Sequence, residues 1–193
     1  MLENKDFLLT LTGPSGSGKS TIEKIFINNH NLKRAVSHTS REMRISEHAG
    51  VDYYYVNKDI ILKLKDEGKL AEFIEYNGNY YGVTIDELMS SQVITIEPHG
   101  LEQVREIMKD KKKIISIYLD IDPEEAKRRM LNRGDQESAV NARIEKDSIH
   151  FKADPDKYDY IINAGAGKIS DIYNIVNALV EENVNHILDS KGN

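Results

Sequence analysis

Cysteine is absent from the 193 residues, which excludes both disulfides and thiolate metal sites. Long apolar runs are missing too: none approaches the roughly 18–20 residues that a membrane-crossing helix needs. The opening "MLENKDF" lacks the basic-then-apolar pattern of a secretory leader, so the cytoplasm is the expected location. Positive charge is in short supply, with a formal net charge of −6 and a pI near 5.6. No broad positive field is available to gather a polyanion, so neither nucleic acid nor a membrane is an expected partner. The six histidines are scattered without H-E-x-x-H or other close metal-binding spacing. Internal repeats and low-complexity segments are lacking as well. What remains, 39% hydrophobic and 30% charged residues, suits one well-buried core with room for a small inserted lobe.

The order of elements points to an α/β fold. "FLLTLT" (residues 7–12) is a short, β-branched apolar run that meets glycines at once, as a buried strand entering a tight turn does. A helix is expected over 20–28, where Ile22, Ile25, Phe26 and Ile27 are apolar. Further strands are expected at 92–97, 113–121 and 158–163, separated by helices at 101–108, 123–131 and 169–180. Strand alternating with helix at this spacing predicts a parallel sheet covered on both faces. Between Ala35 and Ser91 tyrosines cluster and apolar runs shorten. That stretch reads as an inserted lobe of small antiparallel strands around a helix at 58–66.

Chemistry enters with "GPSGSGKST", Gly13 to Thr21, which satisfies G-x-x-x-x-G-K-[ST] after a strand and at the start of a helix. Its glycines (Gly13, Gly16, Gly18) let successive N–H groups turn toward one anion, and the helix N-terminus adds partial positive charge. Pro14, Ser15, Ser17 and Thr21 complete the candidate ATP loop. Lys19 is expected at the β- and γ-phosphates and the Ser20 hydroxyl at Mg²⁺. The loop predicts the nucleotide donor without predicting the acceptor.

A second anion site is written in "SHTSREMR", Ser37 to Arg44, followed by "GVDYYYV" and "LAEFIEYNGNYYG". Ser-x-Thr-Ser-Arg-x-x-Arg, Gly-x-Asp-Tyr, Phe-Ile-Glu and Gly-Asn-Tyr-Tyr-Gly, in this order behind a phosphate loop, resemble guanylate kinase. The likeness resumes in "KRRMLNRG", Arg143 and "YDYIIN" and spans about nine-tenths of the chain. It implies a P-loop kinase: a parallel-sheet core (1–34, 91–127, 148–193), a GMP-binding lobe (35–90) and a helical lid (128–147). ATP, Mg²⁺ and GMP or dGMP are the implied small molecules, since nothing in the motifs reads the 2′-OH. It also implies that Arg41, Arg44, Tyr53 and Tyr81 hold the GMP phosphate, while Ser37 and Glu75 face guanine. Glu72 is the alternative to Glu75. A carboxylate suits guanine because it accepts from N1–H and the N2 amino group together. Arg129, Arg133 and Arg143 close over the phosphates in this reading; a salt-bridged surface helix using Glu124, Glu125 and Asp135 is the alternative. Asn163 is implied near adenine.

The sequence departs from the family pattern in several places. The hairpin after Glu75 and the segment after Gly82 are short. Val83 stands where a hydroxyl near guanine is usual. "VITIEPHG" puts Thr95 and Glu97 where two aspartates are usual, which leaves Glu97 as the candidate carboxylate near Mg²⁺. A broader or different acceptor, or a catalytically silent binding module, remain the alternatives to GMP phosphorylation.

Overall fold

The expected strand at Phe7–Thr12 (β1) lies inside the molecule, every one of its residues buried. The computed structural model describes residue 2 and residues 5–191 apart from 46 and 77, with side chains to 185. Its central sheet is parallel, in the order β6-β1-β7-β8, where β6 is Val93–Thr95, β7 Lys113–Asp120 and β8 Tyr160–Asn163. The chain at Arg34–Ala35 adds a bridge to Val93, extending the sheet at its β6 edge.

One face of the sheet carries Phe7, Leu9 and Leu11 against two helices, Lys19–His30 (α1) and Ile169–Lys191 (α7). The other carries Leu8, Ile94 and Tyr118 against helix Pro98–Met108 (α4) and the root of the lobe. β1 is thus apolar on both faces, which explains why it reads as a continuous run rather than an alternating one. Each such leucine contributes roughly 1.5–3 kcal/mol by leaving water.

Between Ser37 and Ser90 lies a second sheet, ordered β3-β2-β5-β4: His38–Thr39 (β2), Tyr54–Tyr55 (β3), Leu70–Tyr76 (β4) and Asn79–Thr84 (β5). The β2–β5 and β4–β5 pairs are antiparallel as expected, but β2 and β3 are parallel. The intervening residues loop out and return to the same end, so the two short strands run alike. Helix Lys58–Asp66 (α2) spans the expected residues. A short helix, Ile85–Ser90 (α3), lies outside the expected set; Thr84 caps it by accepting from Glu87 N–H. After β7, helices Pro123–Asn132 (α5) and Glu137–His150 (α6), which contain most of the expected lid at 128–147, pack around a small cluster of Ile121, Ala126, Met130 and Val140. Asp122 caps α5 by accepting from the N–H groups of Glu124 and Glu125.

Candidate active site

The phosphate loop follows β1 and opens α1. Gly16 has φ 78, a region that a side chain strains, and a Cβ there would press on the Ala126 backbone of α5. The glycine therefore allows both the turn and the close approach of the lid helix. A cavity of about 660 Å³ opens over the loop, lined by Ser15, Gly16, Gly18, Lys19, Ser20 and Thr21 below and by Glu125, Arg128, Arg129 and Arg133 above. Gly13, Pro14 and Ser17 shape the loop from beneath. The carbonyls of Gly13 and Pro14 accept from Lys19 Nζ at 2.6 and 2.9 Å, and Ser17 is fully buried. Burial pulls Lys19 down to about 8, against the opposing pull of Asp147 and Glu97.

Asp147 was not a candidate from sequence. Its carboxylate, buried at the end of α6, accepts from Ser15 N–H at 2.6 Å. A side chain of the protein thereby holds one of the loop's anion-binding N–H groups.

Arg128, Arg129 and Arg133 reach the cavity, but each is engaged with an acid. Arg129 Nε donates to Glu125 at 2.8 Å, and Arg128 forms a two-point contact with the same carboxylate, which is held down to about 2 by this pair. Arg133 donates twice to Asp135, and Arg143 donates to Asp135 at 2.6 Å. Arg133 is the C-cap of α5; its N–H still donates to the Arg129 carbonyl one turn back at 3.3 Å, and both side chains line the same cavity, as their spacing predicts. Arg143 lines neither this cavity nor the one in the lobe. Asn163, at the end of β8, lines a neighbouring recess with Asp120 and Pro123, which shares Glu125 and Gly165 with the loop cavity.

A second cavity, of about 300 Å³, lies in the lobe and is lined by Ser37, Arg41, Arg44, Tyr53 and Tyr81, with Glu72, Ile74, Tyr76, Thr95, Glu97 and Lys146. All the acceptor-site candidates come together here except Glu75. On β4 the side chains of 72, 74 and 76 face the cavity, so Glu75 has the opposite parity and is exposed. Glu72 is 7% exposed and has no ion-pair partner among the described residues. Burial, reinforced by Glu97, pushes its carboxyl up to about 7. Gly100 makes this placement possible, because a Cβ there would overlap the Glu72 carboxyl.

Arg41 stands over the Tyr53 ring at 5.6 Å, and the Tyr53 and Tyr81 rings meet edge to face at 6.1 Å. Glu47, another residue that the sequence reading missed, holds Arg41 at two points (2.8 and 3.0 Å) and accepts from Tyr55 O–H. These contacts, with the Arg41 guanidinium first, hold the Glu47 carboxyl at about 2. Arg44 is exposed at the mouth.

Two departures from the family pattern acquire a physical meaning. Val83 is fully buried in the apolar cluster with Ala71 and Leu88 and does not line the cavity. The position is therefore part of the core rather than of the cavity wall. Thr95 donates to Glu23 on α1 at 3.3 Å, and Glu23 also pairs with Arg34 at 3.4 Å. The Thr95 hydroxyl is thus turned toward a buried carboxylate on α1, and that carboxylate lines neither cavity. Glu97 lines the lobe cavity and acts electrostatically on Lys19, which puts the two cavities side by side. No group of three or more His, Cys, Asp or Glu residues is arranged for a metal among the described residues.

Comparison with known proteins points to one family. The family model described as guanylate kinase matches residues 5–183. A guanylate kinase of Lactococcus lactis is 32% identical over 173 residues, covering 83% of this chain and 81% of that protein. Another, of Mycoplasmopsis pulmonis, is 32% identical over 171 residues, covering 82% and 87%. The crystal structure of guanylate kinase from Anaplasma phagocytophilum superposes with a TM-score of 0.69 at 23% identity, covering 94% of this chain and 88% of that one. On the extent of these matches, the chain belongs to the guanylate kinase family.

Proposed function

We propose that this protein transfers the γ-phosphoryl group of ATP to GMP, giving ADP and GDP, and that it also takes dGMP. The observation that carries this reading is one cavity holding both a buried carboxyl and an arginine–tyrosine cluster, next to a phosphate loop. Glu72, in place of Glu75, accepts from guanine N1–H and N2–H. Adenine offers no such pair of donors and would leave a buried carboxylate unpaired. Arg41, Arg44, Tyr53 and Tyr81 donate to the GMP phosphate, and Ser37 completes the base end.

The ATP phosphates lie on the loop from Gly13 to Thr21, with Lys19 at the β/γ bridge and adenine toward Asn163. A phosphate oxygen of GMP attacks the γ-phosphorus in line as the bond to the ADP oxygen breaks. The side chains align and neutralise without forming a covalent intermediate. Arg129 and Arg133 meet the transferring group on exchanging Glu125 and Asp135 for phosphate oxygens. Arg143, joined to Arg133 through Asp135, follows it. The exposed Ser20 hydroxyl on the loop and the Glu97 carboxylate beside Lys19 are hard oxygen donors that fit Mg²⁺ carried mainly by ATP phosphates. When bound, that ion supplies charge neutralisation at the β- and γ-oxygens.

No helix among the described residues is long and apolar enough to cross a membrane; the cytoplasm, where both nucleotides occur, is the proposed location. ADP release from ATP plus GMP, coupled to NADH oxidation, tests the reading. Turnover that needs GMP and is lost in Lys19→Ala supports it, and absence of GMP-dependent ADP formation in the wild type refutes it.

A further inference from the structure

We infer that Lys146, on the lid, is an additional binding residue for the acceptor's phosphate. Helix α6 is held in two places. Val140 and Ile144 pack into the small cluster with α5, and Asp147 anchors the far end to Ser15 of the phosphate loop. With the helix pinned on that side, the next residue round, Lys146, projects across to the lobe and lines the acceptor cavity. Its Nζ stands 3.5 Å from the centroid of the Tyr76 ring at the end of β4. An ammonium that desolvates over an aromatic face is held by the ring quadrupole. It is also half-buried and makes no ion pair with any described residue. Lys65 also stands over a ring, that of Phe73 at 4.1 Å, but it is exposed; Lys146 is half-buried and lines the acceptor cavity.

Charge balance gives the ammonium a role. The acceptor phosphate is close to a dianion, and three cations line its cavity: Arg41, Arg44 and Lys146. Arg41 is already neutralised by the two-point contact with Glu47. Uncompensated positive charge for the phosphate therefore comes from Arg44 on the lobe and Lys146 on the lid. Glu72 and Glu97 make the rest of the cavity negative, which raises the need for a second free cation. Lys146 thus brings to the cavity a cation from α6, outside the lobe that carries the arginines.

This inference rests on GMP being the acceptor, and the test separates the two. Calorimetry with GMP and with guanosine is compared for wild type, Lys146→Met, Lys146→Arg and Tyr76→Leu, alongside steady-state KM values for GMP and ATP. Loss of one charge-assisted phosphate contact predicts GMP binding weakened by about tenfold or more in Lys146→Met, with guanosine binding and the ATP KM unchanged. Lys146→Arg restores most of the loss, and Tyr76→Leu costs less than Lys146→Met because the ammonium remains. If GMP and guanosine weaken equally, and Tyr76→Leu matches Lys146→Met, the lysine only props the hairpin and the inference falls. Wild-type protein that binds GMP without transferring phosphoryl would overturn the kinase reading instead, while the GMP-to-guanosine comparison would still decide the role of Lys146.

Discussion

Guanine recognition through Glu72 should be visible as a proton. In the free protein, burial and then Glu97 push this carboxyl up to about 7 from an ordinary 4.5. Guanine's two donors need the ionised form, so binding pulls the carboxyl back down. Affinity should therefore rise with pH up to about 7 and level off above it. With one proton to remove, binding at pH 6 should be about tenfold weaker than at pH 8. The GMP phosphate titrates in the same range, so guanosine is the cleaner probe, by calorimetry from pH 5.5 to 8.

Folding stability of the free protein should show the same group with the opposite slope. Between pH 4.5 and 7 the folded state holds a proton that the unfolded chain has lost, so this group's contribution falls as pH rises and is constant above 7. The gap from 4.5 to about 7, at 1.36 kcal/mol per pH unit, makes the ionised group cost on the order of 3 kcal/mol at pH 8. Glu72→Gln removes the charge. It should raise the melting temperature of the free protein at pH 8 by roughly 5 °C or more and abolish the pH dependence of guanosine binding. Guanosine affinity that is flat across pH 5.5–8 in the wild type, or a slope that survives in Glu72→Gln, would refute the reasoning.

Other perturbations follow from the same geometry. Asp147 competes with nucleotide phosphate for Ser15 N–H, so Asp147→Asn should lower the KM for ATP several-fold, roughly the weight of one charge-assisted bond; an unchanged or higher KM would show that the contact does not compete. Arg44→Ala should raise the KM for GMP about tenfold and leave that for ATP unchanged, as steady-state kinetics would show. Val83→Thr should destabilise the fold by about 1–3 kcal/mol in urea unfolding, because it places a hydroxyl in a closed apolar cluster; a gain in GMP affinity without that loss would mean that the position faces the base after all.

What could be read from the chain divides along a physical line. The phosphate loop was legible because its chemistry is local: nine consecutive residues set the turn, the donors and the lysine. Arg41, Arg44, Tyr53 and Tyr81 were legible through motif resemblance, and the cavity gathers them. The parallel order of the core strands followed from the alternation of apolar runs with helices. Glu72 and Glu75 were not separable, because the two differ only in strand parity. That parity depends on the pairing of β4 with β5, where the register shifts between Leu70 and Glu72. Lys146 and Asp147 carried no signal in sequence: their partners, Tyr76 and Ser15, lie far off along the chain, and only lid docking brings them near. Glu47 looked like one more surface acid until the loop after β2 folded it onto Arg41. Thr95 and Glu23 show the same limit, since 72 residues of chain separate the hydroxyl from the carboxylate it meets.

The central claim is that a buried carboxyl beside a phosphate-binding cluster selects guanine. Its most direct test is kcat/KM for GMP against AMP, measured with saturating ATP in one coupled assay on the wild-type protein. An unpaired buried carboxylate should penalise adenine by about two orders of magnitude or more. A ratio above about a hundred is the result predicted here, whereas AMP phosphorylated as efficiently as GMP would contradict the account and leave a kinase of broader acceptor range.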